Sequence, residues 1–227
     1  KNRETLESME TTYPSIHFFP EDIPNYIALS NAFNSALIRA RGEIIFFMND
    51  YVVPHKECIA RHVEVQNKYG GVMLSGRTLA VDFPVEELKD PMHKIEGKDY
   101  RMALFDRRYF WSVKIDDEIR EVFRTGVQNW WAGRNDSVPL DALIACNGFE
   151  EAFDGCWGGH DADMANRLMT FGMRYFIDRK SICLEFKHDT GKLKPFIRTE
   201  EQQQSFQDTI INKKIQDKYH IANDINC

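Results

Sequence analysis

Gly42-Glu43-Ile44-Ile45-Phe46-Phe47-Met48-Asn49-Asp50-Tyr51 is the stretch on which the fold turns. Its apolar residues follow one another from Ile44 to Met48, and polar ones begin abruptly at Asn49. A continuous apolar run of this length reads as a strand buried on both faces of a parallel sheet. Upstream, Ala32, Phe33, Ala36, Leu37 and Ala40 recur at helical spacing within Leu29 to Arg41, and Gly42 ends the helix. Downstream, His55 to Tyr69 reads as a second helix, stopped by Gly70-Gly71, and Val72 to Leu79 as the next strand. Alternating strands and helices predict a doubly wound α/β domain with a mostly parallel sheet. Farther out, the pattern predicts a helix at Thr5–Tyr13 and a strand at Ser15–Phe19 closed by Pro20. It also predicts strands at Met173–Ile177 and Ser181–Phe186, and an amphipathic tail at Thr199–Tyr219. Between Asp82 and Asn135 the period is lost among charges, Pro84, Pro91 and the aromatic clusters Tyr109-Phe110-Trp111 and Trp130-Trp131.

Composition narrows the classes. With 227 residues, 43% of them hydrophobic, and 16 Phe, 8 Tyr and 4 Trp, the chain can bury one sizeable core. A net charge of −6 argues against general nucleic-acid binding, which needs a basic face, but leaves room for a local phosphate site. The five cysteines are scattered with no CxxC pair, so neither a zinc knuckle nor a disulfide framework is implied. No apolar run approaches the roughly 20 residues that span a bilayer. No signal peptide is visible either, so the expectation is a cytoplasmic protein. The chain opens on Lys1 in a helical rather than a strand pattern, which raises the question of a missing N-terminal piece.

The second informative stretch is Asn147-Gly148-Phe149-Glu150-Glu151, followed by Trp157-Gly158-Gly159-His160-Asp161-Ala162-Asp163 and Arg167-Leu168. It reads as a Gly-rich loop entering a helix that carries Met164, Leu168, Met169 and Phe171. Carboxylates at that junction stay ionised cheaply beside the helix N-terminus. Asp161 and Asp163 therefore either cap the helix or offer a general base to something docked on the glycines, and the residues alone leave both open. Two further polar groups follow apolar strands: Asn49-Asp50 after Met48, and His188-Asp189 after Phe186 and Lys187. Ligands of open α/β sheets bind beyond the carboxyl ends of strands, so Asp50 and His188 are candidates to converge with Asp161. A carboxylate and an imidazole suit a divalent cation such as Mn²⁺. Asn135-Asp136-Ser137 fits a glycosylation sequon by letter only.

These blocks resemble the catalytic domain of the GT-A fold, family 2-like glycosyltransferases, and Asn147 to Leu168 is similar to the corresponding region of β-1,4-galactosyltransferases. Asn34, Ala40-Arg41-Gly42-Glu43 and Ile44–Phe47 match the family's approach to its metal motif, and Asn49-Asp50-Tyr51 occupies the place of Asp-x-Asp. Gly159-His160-Asp161-Ala162-Asp163 stands where the family has Gly-Glu-Asp-x-Asp, and His188 matches a late metal histidine. The departures are that both outer carboxylates of Asp-x-Asp are absent and that His160 replaces the Glu of Glu-Asp.

The resemblance implies a single GT-A domain over 1–227. Within it, 1–81 would form the donor and metal side, 82–197 the acceptor side and 198–227 a helical tail. The family's first strand would lie upstream of Lys1 or be lost. Asp161 would be the catalytic base, Asp50 and His188 would hold Mn²⁺ or Mg²⁺, and Asn34, Asn49 and Tyr51 would bind the donor. Trp157, Gly158, Gly159, His160 and Trp131 would face the acceptor, the tryptophans as stacking platforms for sugar. The implied activity is inverting transfer from a nucleotide-diphosphate sugar, a UDP-sugar first, to a carbohydrate or glycoconjugate hydroxyl. The alternative is a GT-A-fold binding or scaffold protein without turnover. A nucleotidyltransferase is disfavoured, because no Gly-rich basic triphosphate loop is found near the N-terminus.

Overall fold

The computed structural model describes residues 8, 28–81, 98–99, 112–123, 131, 133–154 and 159–186. The helices there are α1 (Leu29–Arg39), α2 (Cys58–Tyr69), α3 (Leu140–Ala145) and α4 (His160–Thr170). The strands are β1 (Ile44–Phe47), β2 (Val52–Pro54), β3 (Met73–Val81), β4 (Lys98–Asp99), β5 (Ser112–Lys114), β6 (Ile119–Val122), β7 (Asp136–Pro139) and β8 (Tyr175–Phe186). They form one curled sheet in the order β1-β7-β3-β8-β6-β5, with β2 added to β8 and β4 to β3. The segments expected at 5–13, 15–19 and 199–219 lie outside the described residues.

The sheet corrects the expectation of mostly parallel strands. Among the described residues only β3 and β8 pair in parallel, and the other six pairings are antiparallel. The reversal centres on β7, which runs against both β1 and β3. Nor is β1 buried on both faces: Ile44, Ile45 and Phe46 are half-buried and only Phe47 is buried. The two strands expected at 173–177 and 181–186 are one strand, β8. Opposite them, β3 advances from Ser75 to Arg77 while β8 advances from Ile177 to Ile182, a bulge at Asp178–Ser181. Buried Asp178 holds that bulge by accepting from Ser181 N, Ser181 Oγ and Arg61 Nε.

The main core lies where α1, α3 and α4 meet the sheet. It joins Leu37, Phe47, Trp131, Leu143, Phe149, Met164, Leu168 and Tyr175. Met164 and Leu168, one turn apart on α4, are fully buried as the apolar stripe requires, whereas Phe171 at the helix end is 59% exposed.

On the other face of the sheet, α2 packs on β7 through polar groups. Asn135, Asp136 and Ser137 are each 0% exposed. Asn135 Nδ2 donates to Arg77 O (2.7 Å) and Ser181 O (3.0 Å), which leaves Oδ1 to accept from His62 Nε2 at 2.9 Å. The Nε2 proton so assigned makes His62 Nδ1 an acceptor for Ser137 Oγ at 2.8 Å. Asp136 Oδ1 accepts from Ser75 Oγ, which accepts in turn from Tyr175 OH. Every member has partners, the condition under which buried polar groups are tolerated. A sequon buried in this way offers no acceptor amide to solvent.

Candidate functional site

Asp161 is the second residue of α4, two after its N-cap, Gly159. Its Oδ1 lies 3.2 Å from Nε2 of His160, whose ring is 8% exposed against 25% for the Asp161 side chain. The His160 ring thus flanks one oxygen of the Asp161 carboxylate. The aromatic floor beneath includes Phe33, whose ring centroid is 6.0 Å from that of His160, and Phe47 and Phe149 packed on Phe33. Facing Asp161 is Gly133, at φ +62°; a Cβ there would stand 3.7 Å from Asp161 Oδ1. Glycine at that position serves the left-handed backbone, while a Cβ would make only ordinary contact with the carboxylate.

Gly133 leads into Arg134 and then β7. The β1–β7 register ends at Phe47 opposite Asp136, so Arg134 and Asn49 each lie two residues beyond that pair, at the same rim of the sheet. Asn49 Oδ1 and Nδ2 sit in a tight turn closed by Val52 N donating to Asn49 O, and Asn49 Nδ2 donates to Tyr51 OH at 2.6 Å. Burial raises the Tyr51 phenol above its usual value, against the Asn49 hydrogen bond and the Arg134 guanidinium, so it is neutral near pH 7. Arg134 Nη1 donates to Glu185 Oε2 at 2.7 Å, with the two side chains 34% and 14% exposed. Tyr51 O accepts from Phe186 N at 3.0 Å, which ties the Asn49–Tyr51 turn to the end of β8.

The end of β8 therefore lies beside the Asn49–Tyr51 turn. His188 itself, two residues past β8, lies outside the described residues, as do Trp157 and Gly158. Asp50 is exposed in the turn. Among the described residues, those at the Asp-x-Asp place do not fit a divalent cation. Asp50 is the single carboxylate of the tripeptide, and its flanks are an amide and a neutral phenol bonded to each other. No group of three His, Cys, Asp or Glu side chains among the described residues could hold a metal.

Asn34 works on the loop rather than in the open. Its Nδ2 donates to Phe149 O and to Glu151 Oε1, both at 2.9 Å, and its Oδ1 accepts from Phe149 N at 2.7 Å. Gly148, at φ +63°, is required beside it, since a Cβ would fall 2.5 Å from Asn34 Oδ1. Arg167 braces the same loop by donating to Cys146 O, and its Nε donates to Asp163 Oδ2 at 2.8 Å. Asp163, 3% exposed, is thus a structural acid, whereas the Asp161 side chain is 25% exposed. A cleft of about 780 Å³ runs past Asn34, Ile38, Ile144 and Gly148 but includes neither Asp50 nor Asp161. Trp131, expected on the acceptor side, is fully buried among Phe47 and Phe149.

Sequence reasoning missed Arg134 and Glu185. The available signal was a single cation after a glycine at the mouth of the uncharged-to-acidic run Asn135–Pro139, inside the region whose period could not be read.

A family model described as the N-terminal domain of galactosyltransferase matches residues 132–189, which include Gly133, Arg134, Asp161 and β8. No curated protein matches the chain in sequence. In fold it is similar to S. aureus TarS 1–349 in complex with UDP-GlcNAc, with a TM-score of 0.59 and 12% identity over 94% of this chain and 54% of that one. It is similar to the mannosyltransferase PcManGT from Pyrobaculum calidifontis in complex with GDP-Man and Mn²⁺, with a TM-score of 0.50 and 15% identity over 83% and 45%. GalNAc-T7 with UDP, GalNAc and Mn²⁺ gives a TM-score of 0.58 and 11% identity over 83% and 36%. The chain spans about half the length of these structures or less. The fold is broadly GT-A-like: α/β, with a curled mixed sheet flanked by helices. Among the described residues no helix is long and apolar enough to cross a membrane.

Proposed function

We propose that the chain is a glycosyltransferase moving a sugar from a nucleoside-diphosphate donor, a UDP-sugar first, to a hydroxyl of a carbohydrate or glycoconjugate acceptor. The observation that carries this reading is the meeting of Asp161, Gly133-Arg134 and the Asn49–Tyr51 turn at one rim of the sheet. The similarity in fold to structures that hold UDP-GlcNAc, GDP-Man and UDP supports it.

On this reading Asp161 takes the proton from the acceptor hydroxyl as that oxygen attacks the anomeric carbon. The bond from the anomeric carbon to the diphosphate oxygen breaks, the nucleoside diphosphate leaves with that electron pair, and configuration inverts. His160, with Nε2 3.2 Å from Oδ1, flanks the carboxylate and leaves Oδ2 to meet the hydroxyl. Asn49, Asp50 and Tyr51 serve the donor side, and Asn34 serves it through the loop it clamps. Gly159 and His160, with Trp157 and Gly158, form the acceptor side, for which buried Trp131 is the floor.

The test is transfer from a panel of UDP- and GDP-sugars to saccharide acceptors, with donor binding measured alongside. Asp161→Asn is expected to lower turnover by about 10²–10⁴-fold, the usual share of a general base, with the donor Kd unchanged. Equal loss of binding and turnover would remove Asp161 from the base role. The Asn-Asp-Tyr tripeptide favours a second reading, a GT-A-fold binding protein, for which donor or acceptor binds and no pair turns over.

A further inference from the structure

The rim that meets Asp161 carries a cation where a metal does not fit. We propose that the Arg134 guanidinium binds the donor's diphosphate directly and neutralises it on departure, in place of a divalent cation. This inference rests on the transferase reading above.

Three observations lead to it. Arg134 stands between the two halves of the site: its neighbour Gly133 faces the Asp161 carboxylate, and its own charge bears on the Tyr51 phenol. Its side chain is one-third exposed, so solvent and ligand reach it, while its backbone is fixed by Arg134 N donating to buried Asp136 Oδ2 at 3.2 Å. A guanidinium is permanently charged and offers five donors in a planar fork that matches phosphate oxygens, and the hydrogen bond to Glu185 uses one of them. The charge that develops on a leaving diphosphate can be met by a preorganised cation of either kind. Here Asp50 offers a metal one carboxylate, with a neutral phenol beside it.

Glu185 then has a definite part. Glu185 is the counter-ion that keeps Arg134 in place, and it competes with the diphosphate for the same guanidinium. Removing its charge while keeping its shape should therefore strengthen diphosphate binding, the opposite of what loss of a merely structural ion pair would do.

The experiment is calorimetric titration of the full chain with UDP and with GDP, in EDTA and again with Mn²⁺. One of the two is expected to bind in EDTA with an affinity that Mn²⁺ leaves within about twofold. R134A should weaken that binding by about tenfold or more, R134K by less, and E185Q should tighten it severalfold. Binding that appears only with Mn²⁺ overturns the role of Arg134 and leaves the transferase reading standing. So does an R134A affinity equal to that of the parent. Should R134A fail to fold, R134K and E185Q decide, and unchanged affinity in both overturns the proposal. A folded chain that binds neither nucleotide in either condition overturns the transferase reading, and the proposal with it.

Discussion

Two Asn-Asp tripeptides meet the β1–β7 pairing in different ways. Asn49-Asp50-Tyr51 leaves the end of β1, and Asn135-Asp136-Ser137 enters β7, with Asp136 opposite Phe47. The letters are nearly the same and the fates are opposite. The first forms a turn with an exposed Asp50 and a phenol raised by burial. The second is wholly buried and bonded on every side, from α2 through His62 and from β3 through Ser75. Where the chain passes an edge of the sheet, polar side chains reach solvent; where helix α2 covers it, the same side chains must satisfy one another. Arg134 sits on the boundary, its side chain at the rim and its backbone in the network.

The contrast can be broken most severely at Gly76, whose Cβ, if present, would lie 2.4 Å from both Asn135 Nδ2 and the backbone Ser181 O. Gly76→Ala is expected to cost more than about 5 kcal/mol, because a backbone atom cannot yield as a side-chain tip can. Loss of the cooperative urea transition would show it, and a midpoint near that of the parent would mean that the network is looser than its distances. Asn135→Ala comes next. It strands the carbonyls of Arg77 and Ser181 and the His62 Nε2 proton, at about 1–3 kcal/mol for each buried group, so a loss on the order of 3–5 kcal/mol is expected. Asp50→Ala is the smallest. In an exposed turn it should leave the urea midpoint within about 0.5 kcal/mol of the parent, its effect being confined to donor binding. A large loss there would make the two tripeptides alike and remove Asp50 from the donor side.

Much of the frame was legible because it depends on local patterning. The Leu29–Arg41 spacing produces α1, the His55–Tyr69 spacing produces α2, and Val72–Leu79 lies within or beside β3. The i, i+4 pair Met164 and Leu168 is buried as an apolar stripe demands. Strand β7 was not legible, since Asp136, Ser137 and Pro139 are poor strand formers and only the partners on α2 and β3 make burial of such a strand affordable. The continuous run Ile44–Phe47 suggested two buried faces, yet β1 is half-buried, because apolarity records what a strand can cover and not what covers it.

Local order, the carboxylate at the head of α4 and the missing acids of Asn49-Asp50-Tyr51 could all be read from the chain, since each depends on residue type and near neighbours. Strand direction, the internment of Asn135–Ser137 and the placement of Arg134 between Asp161 and Tyr51 could not. They depend on which segments, dozens of residues apart, come to share a rim or a covered face. That choice is made by the packing of α2 and β7 on the sheet and by the demand that each buried polar group find a partner.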